Sequence, residues 1–222
     1  MIRALGLLIA LAASPAWACG VELTLAMDVS RSVSTKEYKQ QMEGLADALD
    51  DEEVREAIRS VPGGVLSTVF IWGDKTQQKQ TTDWTLLKGG AETSAFAMEI
   101  RSTRRSFGFT LTGLGAAMLY ANELSKTAPV KCHRRVIDIS GDGVWNNGPS
   151  PAEAWASLPR DLTINGLVIL GAKPDPLQYY KEEVIGGPAS FVETADDFQD
   201  YARAIKNKLL RELAPMFSQV AQ

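Results

Sequence analysis

The residues of this chain best suited to chemistry are Asp28, Ser30 and Ser32, set at alternate positions directly after the apolar run Leu23-Thr24-Leu25-Ala26-Met27. An apolar run with polar residues only at its C-terminal end reads as a buried parallel strand that delivers side chains to a loop. In such a loop alternate residues can turn toward one point, so that one carboxylate and two hydroxyls converge. Hard oxygen donors carrying little total charge suit Mg²⁺ or Mn²⁺. The same residues also fit helix N-capping, with Asp28 near the positive end of a helix, and the rest of the chain has to separate the two readings.

The Asp-x-Ser-x-Ser pattern resembles the metal-ion-dependent adhesion site of von Willebrand factor type A domains. Two further segments extend the resemblance. Phe109-Thr110-Leu111-Thr112-Gly113, where a loop meets a helix, is similar to the family's Thr-x-Thr segment, which implies a ligand hydroxyl from Thr110, with Thr112 as the alternative. Ser140-Gly141-Asp142-Gly143 follows the apolar strand Arg135-Val136-Ile137-Asp138-Ile139-Ser140 and resembles the family's aspartate-glycine segment, with Gly141 as one extra small residue. It implies Asp142 as the second carboxylate, in preference to Asp138 inside the strand.

The resemblance therefore implies Mg²⁺ or Mn²⁺ held by Asp28, Ser30, Ser32, Thr110 and Asp142. Waters complete the shell, and a carboxylate from a partner protein replaces one of them. It covers residues 19–222 and is closest to exported bacterial members of unknown function. The expectation is a divalent-metal-binding protein-interaction module, adhesive or scaffolding, and not an enzyme. Arg31, Arg101, Arg104, Arg105 and Trp145 would form its rim, since arginine and tryptophan are favoured at binding hot spots.

The elements that must position these residues alternate along the chain. Ser34-Thr35-Lys36-Glu37 supplies a capping box, and Tyr38, Met42, Leu45 and Leu49 follow at helical spacing. Val54 to Ile58 extends or restarts that helix until Pro62-Gly63-Gly64. Val65 to Trp72 is a second strand, Lys79 to Leu86 an edge strand, and Ala91 to Arg101 a helix. A helix from Leu114 to Ser125 precedes the strand that leads to Asp142. Then come a helix over Pro149 to Leu158, a strand over Leu162 to Leu170, a helix over Asp175 to Val184 and a strand over Ser190 to Val192. Thr194 and Asp197 open a final helix with Phe198, Tyr201, Ile205, Leu209 and Leu213 on its apolar stripe. The pattern calls for one α/β domain: a doubly wound, mostly parallel six-stranded sheet with one antiparallel edge strand, helices on both faces and ligands at the C-terminal strand ends.

The composition, 222 residues with 45% hydrophobic and 23% charged, is that of an ordinary globular domain. A formal net charge of -4 argues against nucleic acid as a partner and favours a cation site. Residues 1–18, with Arg3, an apolar core and Ala16-Trp17-Ala18, read as a secretory signal, and no later stretch is long enough to span a bilayer. The expected location is the periplasm or outside the cell; lipid anchoring at Cys19 is the alternative. The two cysteines, Cys19 and Cys132, each precede one of the two strands that end in aspartate. Were those strands parallel neighbours, both thiols would lie at the opposite end from Asp28 and Asp142, placed for a disulfide in an exported chain. Two buried free thiols are the competing reading.

Enzymatic readings find little support. His133, the single histidine, precedes its strand and so falls on the wrong end for a Ser-His-Asp triad. The Gly-x-Ser-x-Gly, Walker and Gly-x-Gly-x-x-Gly signatures are missing, and zinc ligands are too few. The alternatives to a binding module are a Mg²⁺-dependent phosphotransfer or hydrolytic enzyme using Asp28, and a scaffold whose metal site is unused.

Overall fold

The computed structural model describes residues 18–214, so the signal-peptide reading of residues 1–18 lies, except for Ala18, outside the described residues. A seven-stranded sheet forms the centre, made of β1 (Cys19–Asp28), β2 (Val65–Trp72), β3 (Gln78–Gln80), β4 (Thr85–Leu87), β5 (Cys132–Gly141), β6 (Thr163–Ile169) and β7 (Val192–Ala195). Its order is β3-β2-β1-β5-β6-β7, with β4 also on β2. The pairs of β1 with β2 and β5, of β5 with β6 and of β6 with β7 are parallel, whereas β3 and β4 run antiparallel to β2.

The expected single edge strand over Lys79 to Leu86 is therefore two short ones, which brings the sheet from six strands to seven. Between them Thr82 substitutes its side chain for the ladder: its Oγ1 accepts from Val69 N at 2.8 Å, and its carbonyl accepts from Thr68 Oγ1 at 2.8 Å. The last strand also shifts, to Val192–Ala195 from the expected Ser190 to Val192. Asn165 Oδ1 takes the amide of Phe191 at 3.0 Å and Gly187 O takes that of Ser190, so the chain arrives in a turn before it joins β6.

Helices α1 (Thr35–Asp50), α2 (Glu52–Ser60), α3 (Ala91–Ser102) and α7 (Tyr201–Leu213) cover one face, while α4 (Leu114–Ser125), α5 (Pro151–Trp155) and α6 (Pro176–Tyr179, continuing as a π-helical turn over Tyr180–Val184) cover the other. The alternation of strand side chains separates two cores. Leu23, Leu25 and Met27 pack with Leu45, Leu49, Phe96 and Ile205, whereas Ala26, Phe70, Ile137 and Ile139 pack with Leu114, Met118 and Tyr180. The capping box of α1 is present, with Glu37 N donating to Ser34 Oγ and Ser34 N to Glu37 Oε2. The expected cap at Thr194 is not: Thr194 belongs to β7, and α7 begins after Asp200.

Strand order reverses between β1 and β5, because the chain steps outward from β1 to β2 and later returns to start β5 on the other side. In a doubly wound sheet, the crevice outside the carboxyl ends of the two strands at such a switch point is where ligands bind. Asp28 ends β1, and Asp142 follows β5 directly. At the opposite end Cys19 and Cys132 are register partners, their Cα atoms 4.5 Å apart, and they form a disulfide. Among the described residues no helix is long and apolar enough to cross a membrane.

Candidate metal centre

The β1 strand delivers Asp28 fully buried, paired with Trp72 across the ladder. Its Oδ1 accepts from Ser30 N at 2.6 Å, the side-chain-to-backbone turn that a short acid makes two residues ahead. That turn folds the next residues back over the strand end. Ser30 Oγ lies 3.0 Å from Ser32 Oγ, and Ser32 Oγ donates to Asp142 Oδ1 at 2.6 Å. Asp28, Ser30, Ser32 and Asp142 are thus one continuous polar cluster across the switch point.

The third segment joins through its backbone. Arg31 N donates to Thr110 O at 2.9 Å, which ties the loop after β1 to the loop before α4. The Thr110 hydroxyl accepts from Asp74 N at 2.6 Å and donates to Leu111 O at 3.3 Å. This closeness requires glycine at the neighbouring turn, since a Cβ on Gly73 would lie 2.3 Å from Thr110 Oγ1. Thr112, the alternative ligand, is held further along: its N–H donates to Asn146 Oδ1 at 2.9 Å, and its carbonyl accepts from Asn146 N at 3.0 Å. Asn146 therefore fastens the Thr110 loop to the loop that carries Asp142.

Gly141 has a physical cause. A Cβ there would lie 2.5 Å from Tyr180 Oη and 3.1 Å from Asp28 Oδ2, so a side chain would be driven into the floor of the site. Neither Asp28 Oδ2 nor Tyr180 Oη, both buried, has a hydrogen-bond partner within the protein. Burial, and then the charge of Asp142, pushes the Asp28 carboxyl up to about 8 against the hydrogen bonds from Ser30. Burial raises Asp142 as well, with Glu37 adding to it and Ser32 opposing. Two buried carboxylates without a cation of their own, one with an orphaned oxygen, and the neighbouring hydroxyls make a hard-oxygen donor set that fits a small divalent cation. Among the described residues no cluster of three or more His, Cys, Asp or Glu side chains could hold a metal, so any centre here depends on hydroxyls.

The surroundings differ from the expected rim. Arg105 turns inward and spans the loop after β1: Nη1 donates to Val33 O at 2.6 Å, and Nη2 to Val29 O at 2.7 Å and Ser30 O at 3.2 Å. Its fork is engaged in shaping that loop. Trp145 is half-buried against the core under α4, its Nε1 donating to Gly148 O. Arg101 pairs with Asp47 and Asp50 on α1. Arg31 and Arg104 are exposed, and the Arg31 guanidinium stands 5.0 Å from the centroid of the Phe109 ring. Asp138 faces away from the centre. It is buried with Lys208 Nζ 2.8 Å from its Oδ1, and Lys208 also pairs with Glu212 at 2.6 Å. Sequence reading missed Arg105, Asn146 and Tyr180 as organisers, because each acts through partners 30 or more positions away.

The mainly parallel sheet and its helical layers are similar to those of the von Willebrand factor type A fold. Proximal thread matrix protein 1 from the mussel byssus is similar over 88% of this chain and 47% of its own, with a TM-score of 0.63 and 14% identity. A second structure of that protein has a zinc-occupied metal-ion-dependent adhesion site motif; it matches with a TM-score of 0.62 and 15% identity over 88% of this chain and 46% of its own. The von Willebrand factor type A protein from Catenulispora acidiphila matches with a TM-score of 0.61 and 18% identity, over 87% of this chain and 42% of its own. The chain thus spans less than half the length of these proteins. No curated protein sequence matches. A family model described as a protein of unknown function, DUF1194, matches residues 18–217, and the chain belongs to that family.

Proposed function

We propose that this protein is an exported, metal-dependent protein-interaction module whose centre comprises Asp28, Ser30, Ser32, Thr110 and Asp142. The observation that carries the reading is the orphaned, buried Oδ2 of Asp28 in a cluster joined by hydrogen bonds to Asp142. Mg²⁺ or Mn²⁺ bound there would offer a coordination position to a carboxylate from a partner protein, since such an ion keeps exchangeable waters where protein ligands are few. The chain's own contribution is to hold the donors: Arg105 fixes the loop of the serines, Asn146 fixes the threonine loop against that of Asp142, and Gly141 leaves room for Asp28. The zinc-occupied motif in the mussel protein supports a divalent ion at such a site.

Binding rather than catalysis is favoured by the position of His133, near the start of β5, whereas Asp142 follows its end. The eight residue steps along the strand from His133 to Gly141 amount to roughly 26 Å. Export is supported by the disulfide. It also occupies the Cys19 thiol that lipid anchoring would require.

The test is a thermal melt of the oxidised protein in chelator and again with Mg²⁺ or Mn²⁺, beside Asp28→Ala. A cation at a hundred times its dissociation constant stabilises the native state by about 2.7 kcal/mol. The proposal expects a rise in melting temperature that Asp28→Ala abolishes. Identical melts in chelator and in metal would refute it.

A further inference from the structure

Three large hydrophobic side chains are exposed among the described residues: Met98 at 62%, Phe109 at 72% and Leu111 at 39%. Two of them flank Thr110, the residue whose carbonyl is bonded to the loop of the metal-site serines. Among the described residues every other phenylalanine is at least partly buried, whereas Phe109 stands in water beside the centre. An exposed apolar patch next to polar convergent groups marks a place for a ligand.

The charge around the patch has a sign. Residues 101–113 contain Arg101, Arg104 and Arg105 and no Asp or Glu, in a chain with a formal net charge of -4. Arg101 and Arg105 are engaged within the protein, which leaves Arg31 and Arg104 exposed. Arg31 sits between the site serines with its guanidinium over the Phe109 ring. Stacking holds the ring on one side while the guanidinium edge keeps donors for an anion. Glu37, whose charge reaches Asp142, is tied to Ser34 N at 2.7 Å.

We propose that the partner is a protein segment in which an Asp or Glu stands directly beside an apolar side chain. The carboxylate goes to the metal, the apolar group lies on Phe109 and Leu111, and Arg31 and Arg104 attract the segment's negative charge. This rests on the metal-dependent reading above and adds the chemistry of the partner. A rigid aromatic with an arginine beside it is the composition that concentrates binding energy.

The experiment pans a random peptide phage library on oxidised protein in Mg²⁺ and elutes with chelator. Calorimetry with Mg²⁺ alone runs in parallel. The expected result is a chelator-released pool enriched in Asp or Glu adjacent to Phe, Leu, Ile, Met or Trp. A synthetic peptide from that pool should bind the Phe109→Ser, Leu111→Ser double variant about tenfold more weakly while Mg²⁺ affinity is unchanged. An acidic pool without apolar neighbours, or equal binding by the double variant, overturns this proposal and leaves the metal-dependent reading standing. Mg²⁺ uptake with an empty chelator-released pool overturns the partner reading itself, and absence of Mg²⁺ uptake overturns the metal centre.

Discussion

Ser32 Oγ donates a 2.6 Å hydrogen bond to Asp142 Oδ1 across 110 positions of sequence. The loop after β1 and the loop after β5 are therefore joined directly, side chain to side chain. Preorganised donors lose little freedom on binding a metal, and the partners that orient metal ligands are typically worth tenfold to a hundredfold in affinity. Ser32→Ala should weaken Mg²⁺ binding by about tenfold or more, while lowering stability in chelator by only about 1 kcal/mol. Calorimetric titration and denaturant unfolding separate the two effects.

Acidity should set the stability of the metal-free protein. Asp28 is pushed up to about 8 by burial and the charge of Asp142, and Asp138 up to about 7 by burial, against Lys208. Both native carboxyls hold protons that the unfolded chain releases above about pH 4, so the native state binds more protons between those values. Stability in chelator should therefore fall as pH rises from 5 to 8, by at most about 1.4 kcal/mol per pH unit for each group. Saturating Mg²⁺ should remove the Asp28 part of this slope and leave the Asp138 part. Melts across that pH range check it, and equal slopes with and without Mg²⁺ would contradict it.

Arg105 should prove a determinant of the site without contacting a metal. Its guanidinium holds the carbonyls of Val29, Ser30 and Val33 together. An ammonium on a flexible stem cannot reproduce that fork. Arg105→Lys is expected to reduce Mg²⁺ affinity about tenfold, with the melting temperature at saturating Mg²⁺ recovering toward wild type.

The parts legible in the sequence were those fixed by local pattern. The apolar run into Asp28, the box of Ser34 and Glu37, and the cysteines before two strands ending in aspartate all have short-range signatures, and the disulfide follows from the strands being neighbours. What the sequence concealed depends on distant partners. Thr81 and Thr82 have strand propensity, but Thr82 spends its hydroxyl on Val69 N and splits the edge strand. Trp145 and Arg105 have the composition of a binding rim, yet one closes onto Gly148 O and the other onto Val29 O. The loop of Phe109 and Leu111 became visible as a rim only once burial was known.

The disulfide lies at the far end of β1 and β5 from the proposed metal centre and closes a separation of 113 residues. A loop of that length restricts the unfolded chain by about 4 to 5 kcal/mol in the chain-entropy account. The Cys19→Ser, Cys132→Ser variant should lose roughly that stability in denaturant unfolding, yet bind Mg²⁺ with unchanged affinity at temperatures where it remains folded.

Asp28 and Asp142 are proposed to share one divalent cation. Electron paramagnetic resonance of Mn²⁺ tests it most directly, because the free aqueous ion gives a signal that protein-bound Mn²⁺ largely loses. Titrated with oxidised wild-type protein, the signal should fall until one ion is held per chain, recover on adding excess Mg²⁺, and stay at full height with Asp28→Asn or Asp142→Asn. A signal that wild type leaves undiminished, or that either variant suppresses equally well, would contradict the account.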